Sequence, residues 1–411
     1  YGGSEAIGPG WPFIGGVATA LVVTVIAGLL VALPAARRVR GDYLILLTLA
    51  FQLLFSTAAN TFVGVTGGPN GMAVPPIALG AYAIESTDQA FVFFLIVTLA
   101  MGLLCAYIAG SPFGRVLRGI REDESAVRAL GKETVLPKSL AFAITAGMAG
   151  TIGALSAGYT QFVAPATYSL DLAVLAAACV ALGGPGNIFG STVAAIVIGS
   201  LRPVMENWLG MTSSTSIPWQ SVIFGLLLVV GIRFRPKGLI PEGFAIRGWR
   251  AGRRNTSSSP AGTIPEITVQ TDRVPIGAPV LQAQNLSKTF GGLTAVEDFS
   301  IDLCPGEIVA LVGPNGAGKT TIFNLLTDSL RSESGSISLK GSTIFGHGTA
   351  RVAQSGMVRY FQDVRTFANM TALDNVSIGV PNQPGENLIA LLTRPWMVRR
   401  FERSVRARAL Q

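Results

Sequence analysis

Long uncharged stretches dominate the first 230 residues of the chain. Residues 14–33 run apolar without a charge and close at Pro34, followed by Arg37, Arg38 and Arg40. At 1.5 Å per residue, a helix of that length matches a hydrocarbon layer of about 30 Å. Comparable runs cover about 43–65, 90–109, 140–158 and 219–232. A buried helix of a soluble protein explains any one run, but not such a succession of them. The run 140–158 is rich in Gly and Ala, which let helices approach closely in lipid. Two shorter runs, 172–182 and 188–201, flank Gly183-Gly184-Pro185-Gly186-Asn187.

Basic residues set the orientation. Short loops rich in Lys and Arg stay cytoplasmic. Loop 35–42 holds Arg37, Arg38 and Arg40, and loop 110–139 holds Arg115, Arg118, Arg121, Arg128, Lys132 and Lys138. Alternating crossings then place 110–139 inside and 66–89 and 159–170 outside. A single crossing over 172–201 would bring out the basic end at Arg233, Arg235 and Lys237 on the wrong side. Residues 183–187 are therefore expected as a cytoplasm-side turn between two short or tilted crossings, or within a re-entrant pair. Its backbone needs burial among other helices.

The pattern changes after residue 250. Residues 250–278 mix Ser, Thr, Pro, Gly and charge with no periodic apolar face, which reads as a linker. Short apolar runs then alternate with helical stretches, as in an α/β domain. Composition sharpens the contrast. Only 13% of the 411 residues are charged and 49% are apolar, with net charge +8, where soluble domains carry about 25% charge. This excludes a simple soluble enzyme. Cys105, Cys179 and Cys304 are scattered without a C-x-x-C pair, so no disulfide framework or thiolate metal site is expected. The lone His347 excludes a histidine metal cluster. The chain starts at Tyr1 with no signal-peptide n-region, so its N-terminus is expected to lie further upstream.

One motif carries chemistry. Gly313, Pro314, Asn315, Gly316, Ala317, Gly318, Lys319 and Thr320 match G-x-x-x-x-G-K-[ST], followed by Thr321. A β-branched run, Ile308–Val312, precedes it as the expected strand, and Thr321–Leu326 follows as the expected helix. Such a loop converges backbone N–H groups on phosphate oxygens at a helix N-terminus. Lys319 would reach the β- and γ-phosphates of ATP, and the Thr320 hydroxyl would ligate Mg²⁺.

Further motifs resemble ABC-transporter ATPases. Asn285-Leu-Ser-Lys-Thr-Phe290-Gly-Gly resembles their aromatic loop, which implies that Phe290 stacks on adenine. Val358-Arg-Tyr-Phe-Gln362-Asp-Val-Arg-Thr-Phe367 resembles their Q-loop. This implies that Gln362 touches Mg²⁺ and the attacking water, and that apolar neighbours touch a membrane partner. The family's L-S-G-G-Q signature, Asp-Glu strand and switch histidine do not occur between Gln362 and Gln411, and His347 precedes Gln362. The sequence is thus expected to be a partial one, cut at both ends, and its standing as a complete ATPase is open. The arginines Arg394, Arg399, Arg400, Arg403, Arg406 and Arg408 read as a solvated helix face, with no nucleic-acid role.

The first half resembles the permease of branched-chain amino acid ABC importers. The resemblance lies in Tyr43–Phe51 with Thr66-Gly-Gly-Pro-Asn-Gly71, in Phe113–Gly131, in Leu182–Gly190 and in Arg233-Phe-Arg-Pro-Lys-Gly-Leu239. Pro185 and Asn187 depart from the common pattern. Thr66–Gly71 reads either as an extracellular turn or as a ligand element. The charged stretch 113–131 cannot sit in lipid. Its Arg121, Glu122, Asp123, Glu124 and Arg128 are the candidate coupling residues to the ATPase surface.

The expected architecture is a multi-pass α-helical membrane domain over 1–240, a flexible linker over 241–279, and a partial α/β P-loop NTPase domain of the ABC type over 280–411. The resemblance implies ATP-driven import of branched-chain, aliphatic amino acids in the inner membrane, with the ATPase part cytoplasmic. It also implies a second permease subunit, a second ABC ATPase domain, an extracytoplasmic substrate-binding protein and surrounding membrane lipid. A urea or short-amide importer, and an inactive membrane-anchored nucleotide-binding remnant, stand as alternatives.

Overall fold

The computed structural model describes residues 13–38, 41–79, 82–84, 86–235, 238–240, 279–363 and 365–410. They form two compact units. One takes the described residues of Tyr1–Ile108 and Ser139–Ser258, the other those of Ala109–Lys138 and Ser259–Gln411. The linker expected over 241–279 lies outside the described residues except for its last position.

In chain order the helices up to residue 234 are α1 (Phe13–Arg38), α2 (Gly41–Thr61), α3 (Val63–Thr66), α4 (Thr87–Ala109), α5 (Pro112–Ala129), α6 (Val135–Thr160), α7 (Leu170–Gly183), α8 (Ile188–Trp208) and α9 (Ser213–Phe234). Among the described residues, six helices are long and apolar enough to cross a membrane. A seventh candidate is the pair Leu46–Thr61 and Val63–Asn70, bent by 86°. Leu30, Leu54, Phe91 and Leu103 are exposed. Outward-facing side chains of this kind suit lipid.

Small residues bring these helices together. A β-carbon at Gly28 of α1 would stand 2.8 Å from Ala146 Cβ of α6, and one at Gly147 would stand 2.7 Å from Val25. Gly150 rests directly on Thr24. With no gain from leaving water, helices in lipid associate through such close packing.

The Gly-Pro turn between α7 and α8 is closed by its own backbone and by the chain that follows α9. Gly184 N donates to Val180 O at 2.9 Å, and Asn187 N to Gly184 O at 3.1 Å. Buried Asn187 caps α8 by accepting from Gly190 N at 3.0 Å. Leu239 N and Ile240 N then donate to Leu182 O and Gly183 O, at 2.8 and 3.2 Å. Gly238, at φ +79°, lies against Gly184 with no room for a side chain. Two of the motif stretches, Leu182–Gly190 and Arg233–Leu239, thus meet in one clasp.

The runs 172–182 and 188–201 belong to longer helices than their apolar lengths suggested. The candidate spans are Pro165–Gly183 and Ile188–Trp208, of 19 and 21 residues. α8 continues past residue 201 because Arg202 and Glu206 form an i,i+4 ion pair at 2.9 Å, which offsets part of the cost of both charges. Thr66–Gly71 forms a turn tied to its own surroundings. Thr66 Oγ1 donates to Ala59 O at 2.5 Å and accepts from Gly68 N at 3.1 Å.

The second unit is built on an antiparallel sheet with strands ordered Leu293–Leu303, Leu281–Phe290, Ser334–Leu339 and Ser342–Thr343. Gly291 and Gly292, both at positive φ, close the first hairpin, as tight hairpin turns require. Leu281, Ala283, Leu286, Ile337 and Leu339 pack against Ile322, Leu325 and Leu326 of the helix Lys319–Leu326. The expected strand over Ile308–Val312 is not formed among the described residues. Ile308 is 98% and Val312 89% exposed, and a β-branched run without ladder partners remains an irregular chain.

Candidate functional site

The phosphate-loop motif sits where an irregular stretch of chain gives way to a helix. Gly316 (φ +87°) and Gly318 (φ +78°) take left-handed backbone that only glycine adopts cheaply. Gly318 also touches Ala295 O of the neighbouring strand too closely for a side chain. Ile322 N donates to Gly318 O at 2.9 Å, opening the helix at Lys319. Lys319 Nζ donates to Gly313 O and Pro314 O, both at 2.6 Å. The ammonium thus lies across the loop, with exposed Asn315, Gly316, Ala317 and Thr320 around it. A positive charge, two glycine-shaped bends and a helix N-terminus in one exposed loop fit a polyphosphate.

Phe290 ends the strand Leu281–Phe290 and pairs with Leu293. Gly318 rests on Ala295, two residues further along the partner strand. The hairpin therefore brings Phe290 and the loop to one end of the sheet. The Phe290 ring is 47% exposed and carries Lys288 Nζ 5.7 Å from its centroid, so it presents an aromatic surface to solvent. Lys288 also pairs with Glu333 at 3.0 Å. That bond, with Thr289 N–H, holds the Glu333 carboxyl below its ordinary pKa.

Gln362 is exposed on the irregular chain between the helices Thr349–Gln354 and Ala372–Ile378. The bonds on either side of it lead to the phosphate-loop helix, through Arg359 and Asn324, and to α5. Arg365 Nη1 pairs with Asp123 Oδ2 at 2.9 Å, and Asn369 N donates to Glu122 Oε1 at 3.2 Å. His347 is an exposed loop residue. Among the described residues no group of three or more His, Cys, Asp or Glu could hold a metal.

α5 is docked, and charge does much of the docking. Ser111 caps it by accepting from Gly114 N at 3.2 Å. Val116, Ala126 and Val127 pack with Phe367 and Ile378. Gly119 permits the approach of Ile378 Cδ1, which would stand 2.9 Å from a β-carbon there. Of the five candidate coupling residues, Glu122 and Asp123 meet the Gln362 stretch. Glu124 and Arg128 instead bond within their own segment: Glu124 takes Arg128 at 2.5 Å, Thr134 at 2.7 Å and Lys138 at 2.8 Å. Burial alone would raise the Glu124 pKa. The bonds from Lys138 and Thr134, with the Lys138 and Arg128 charges, turn the shift downward. Arg121 is exposed.

The strongest anchors are two cations that sequence reasoning passed over. Arg115, 2% exposed, pairs through Nε with Asp374 at 3.3 Å, through Nη2 with Glu402, and through Nη1 with Gln383 at 3.2 Å. Lys132, 4% exposed, bonds Glu386 at 2.6 Å and Val380 O at 2.5 Å. Burial raises the Glu386 pKa despite the opposing Lys132 charge. The available signal was position: Arg115 lies between Phe113 and Val116, inside the apolar face. Glu402 sits on the helix Pro395–Ala409, which buries Val398 and Val405 and leaves Arg394, Arg399, Arg400, Arg403 and Arg408 exposed.

Residues 3–231 match the family described as branched-chain amino acid transport system / permease component. The chain belongs to this permease family. Residues 296–410 of the same permease chain match the ABC transporter family. Its second part is 39% identical over 125 residues to the high-affinity branched-chain amino acid transport ATP-binding protein BraF of Pseudomonas aeruginosa, covering 30% of this chain and 49% of that protein. The Escherichia coli ATP-binding protein LivG is 39% identical over 131 residues, 32% of this chain and 51% of LivG. Its first part is 30% identical over 244 residues to the permease protein LivM of Salmonella typhimurium, 54% of this chain and 55% of LivM. The permease thus spans about half the length of each of these relatives. It is a multi-pass protein of the inner membrane, and its ATPase part is cytoplasmic.

Proposed function

We propose that the chain couples ATP hydrolysis to the import of branched-chain, aliphatic amino acids, as a permease joined to an ABC ATPase. One observation carries this. α5 lies in sequence between two candidate spans, yet it folds into the unit that holds the phosphate loop, fixed there by Arg115 and Lys132. That arrangement suits a chain in which events at a nucleotide are felt in a membrane helix.

Mg-ATP, when bound, supplies the free energy of phosphoryl transfer. Gly313–Thr321 would cradle its phosphates, Lys319 would offset their charge, and Thr320 would hold Mg²⁺. Phe290 would take the adenine, and Gln362 would orient water and reach the metal. The relatives' names, ATP-binding proteins and a permease of branched-chain amino acid transport, support partner permease and ATPase subunits; the motif resemblance extends this to a second ATPase domain and an extracytoplasmic substrate-binding protein. The boundaries 1–240, 241–279 and 280–411 are part of this proposal.

The test is uptake of labelled leucine and labelled urea by cells producing this chain with its companion subunits. Leucine uptake that vanishes in Lys319→Ala is the expected result. Urea uptake in its place, or uptake indifferent to Lys319→Ala, overturns the proposal.

A further inference from the structure

Within the first unit, a cavity of about 350 Å³ lies where α4 begins and α6 ends. The pattern of basic loops assigns that end of both helices to the outside. Its volume falls within the range of small-molecule sites, roughly 300–1,000 Å³. Ile77, Ile84 and Ala90 give it an apolar wall, with Ile77 and Ala90 almost fully buried. Thr87, Tyr159 and Gln161 give it a polar one. Among the described residues no charged side chain lines it, and the side chains of these three polar residues engage no hydrogen-bond partner.

Each wall is held from behind. Gln89 N donates to Ser86 Oγ at 3.2 Å and Ser86 N to Gln89 Oε1 at 3.4 Å. This reciprocal cap fixes the first turn of α4. Thr87 and Ala90, three residues apart, therefore share the face that lines the cavity. Ile84 N donates to Ile77 O at 3.0 Å and closes a hairpin beside the apolar wall. The Tyr159 ring stands edge-on to Phe94, with centroids 5.6 Å apart.

Gln161 holds φ +54°. Such left-handed backbone is uncommon for a residue of this kind and persists only where the surroundings impose it. Here they do. Val74 N donates to Gln161 O at 3.0 Å, and Phe162 and Val163 pair with Ala73 and Met72. Gly71, at φ +67°, lies against Val163 O with no room for a side chain. The stretch Thr66–Gly71 thus leads into the strand that braces a residue of the cavity.

We infer that this cavity is a substrate subsite of the permease for a branched aliphatic α-amino acid. The aliphatic side chain takes the wall of Ile77, Ile84 and Ala90. The ammonium and carboxylate, which cancel in net charge, take the hydroxyl and amide groups of Thr87, Tyr159 and Gln161. A solute with net charge would lie there without a counter-ion, and urea has no group for the apolar wall. The inference deepens the import reading above and rests on it.

The experiment measures binding of labelled leucine to the full chain in detergent, beside leucine uptake by cells holding the chain and its companion subunits. Saturable binding is expected, displaced by valine and isoleucine and not by urea or lysine. Thr87→Val keeps the volume and removes one hydroxyl. It should weaken binding roughly two- to tenfold, as for the loss of one hydrogen bond. Gln161→Gly removes the side chain and relieves the left-handed backbone. It should weaken binding while denaturing no earlier than the native chain, a split that a purely structural Gln161 does not give. The subsite is overturned if the native chain takes up leucine without binding it saturably, or if urea displaces leucine as well as valine does. It is overturned likewise if Thr87→Val and Gln161→Gly both bind leucine as the native chain does. A native chain that neither takes up nor binds leucine removes the import reading and the subsite together.

Discussion

The two units solve the problem of joining elements in opposite ways. In the membrane unit, α1 and α6 meet through Gly28, Gly147 and Gly150, and charge plays little part. In the second unit, α5 is seated by Arg115 and Lys132, both almost fully buried against carboxylates. The difference follows from the surroundings. Lipid gives no gain for hiding an apolar side chain, so shape decides. Water makes a buried charge costly unless it is paired, so a seat built on paired charges accepts only a segment with matching charges.

Four substitutions and a titration can break or sharpen that contrast. Arg115→Met leaves buried Asp374 without its cation and part-buried Glu402 with Arg406 alone. A loss of about 3–5 kcal/mol from the second unit is expected, read as a lower denaturation midpoint for that unit alone. Lys319→Ala should weaken Mg-ATP binding by roughly 1.5–3 kcal/mol, as for a hydrogen bond to a charged group, with neither unit destabilised. Equal loss of stability in Lys319→Ala would show that the loop is a structural staple. Gly150→Val forces a side chain into Thr24 and should cost about 1–3 kcal/mol. Its effect should be confined to the membrane unit, measurable as protease sensitivity in detergent.

The smallest effect is acid-dependent. The Glu124 pKa is lowered in the folded chain, so its contribution is present above the ordinary carboxylate value and is lost as pH falls through the folded one. The Glu386 pKa is raised, so its contribution is full below the ordinary value and is lost as pH rises through the folded one. Acidification should therefore loosen the end of α5 near Glu124 while easing the burial of Glu386. Glu124→Gln should remove the acid loosening at a cost below about 1 kcal/mol, as for a half-exposed pair. Hydrogen exchange near Arg128 against pH checks both signs.

Much of this molecule was legible in its residues. Uncharged runs mark the spans because nothing else keeps twenty residues free of charge. The loop Gly313–Thr320 is legible because its glycines and Lys319 are required by geometry and charge together. The reach of α8 was hidden, since the Arg202–Glu206 pair becomes benign only once the helix has formed. Ile308–Val312 has the composition of a strand, but composition supplies no partner strand. Arg115 and Lys132 were hidden for a related reason. A charge in a polar stretch reads as exposed until its carboxylates, more than 200 residues away, are placed beside it.

The clasp at Leu239 and Ile240 determines where the gene can be divided. A stop codon directly after Ile240 leaves the carbonyls of Leu182 and Gly183 with their donors. One placed after Arg235 is only five residues shorter, yet it strips both. The shorter product would carry a frayed end of α7 beside the Gly-Pro turn, and the cell's membrane proteases would find it there. Splitting the chain into two polypeptides should therefore succeed or fail on those five residues.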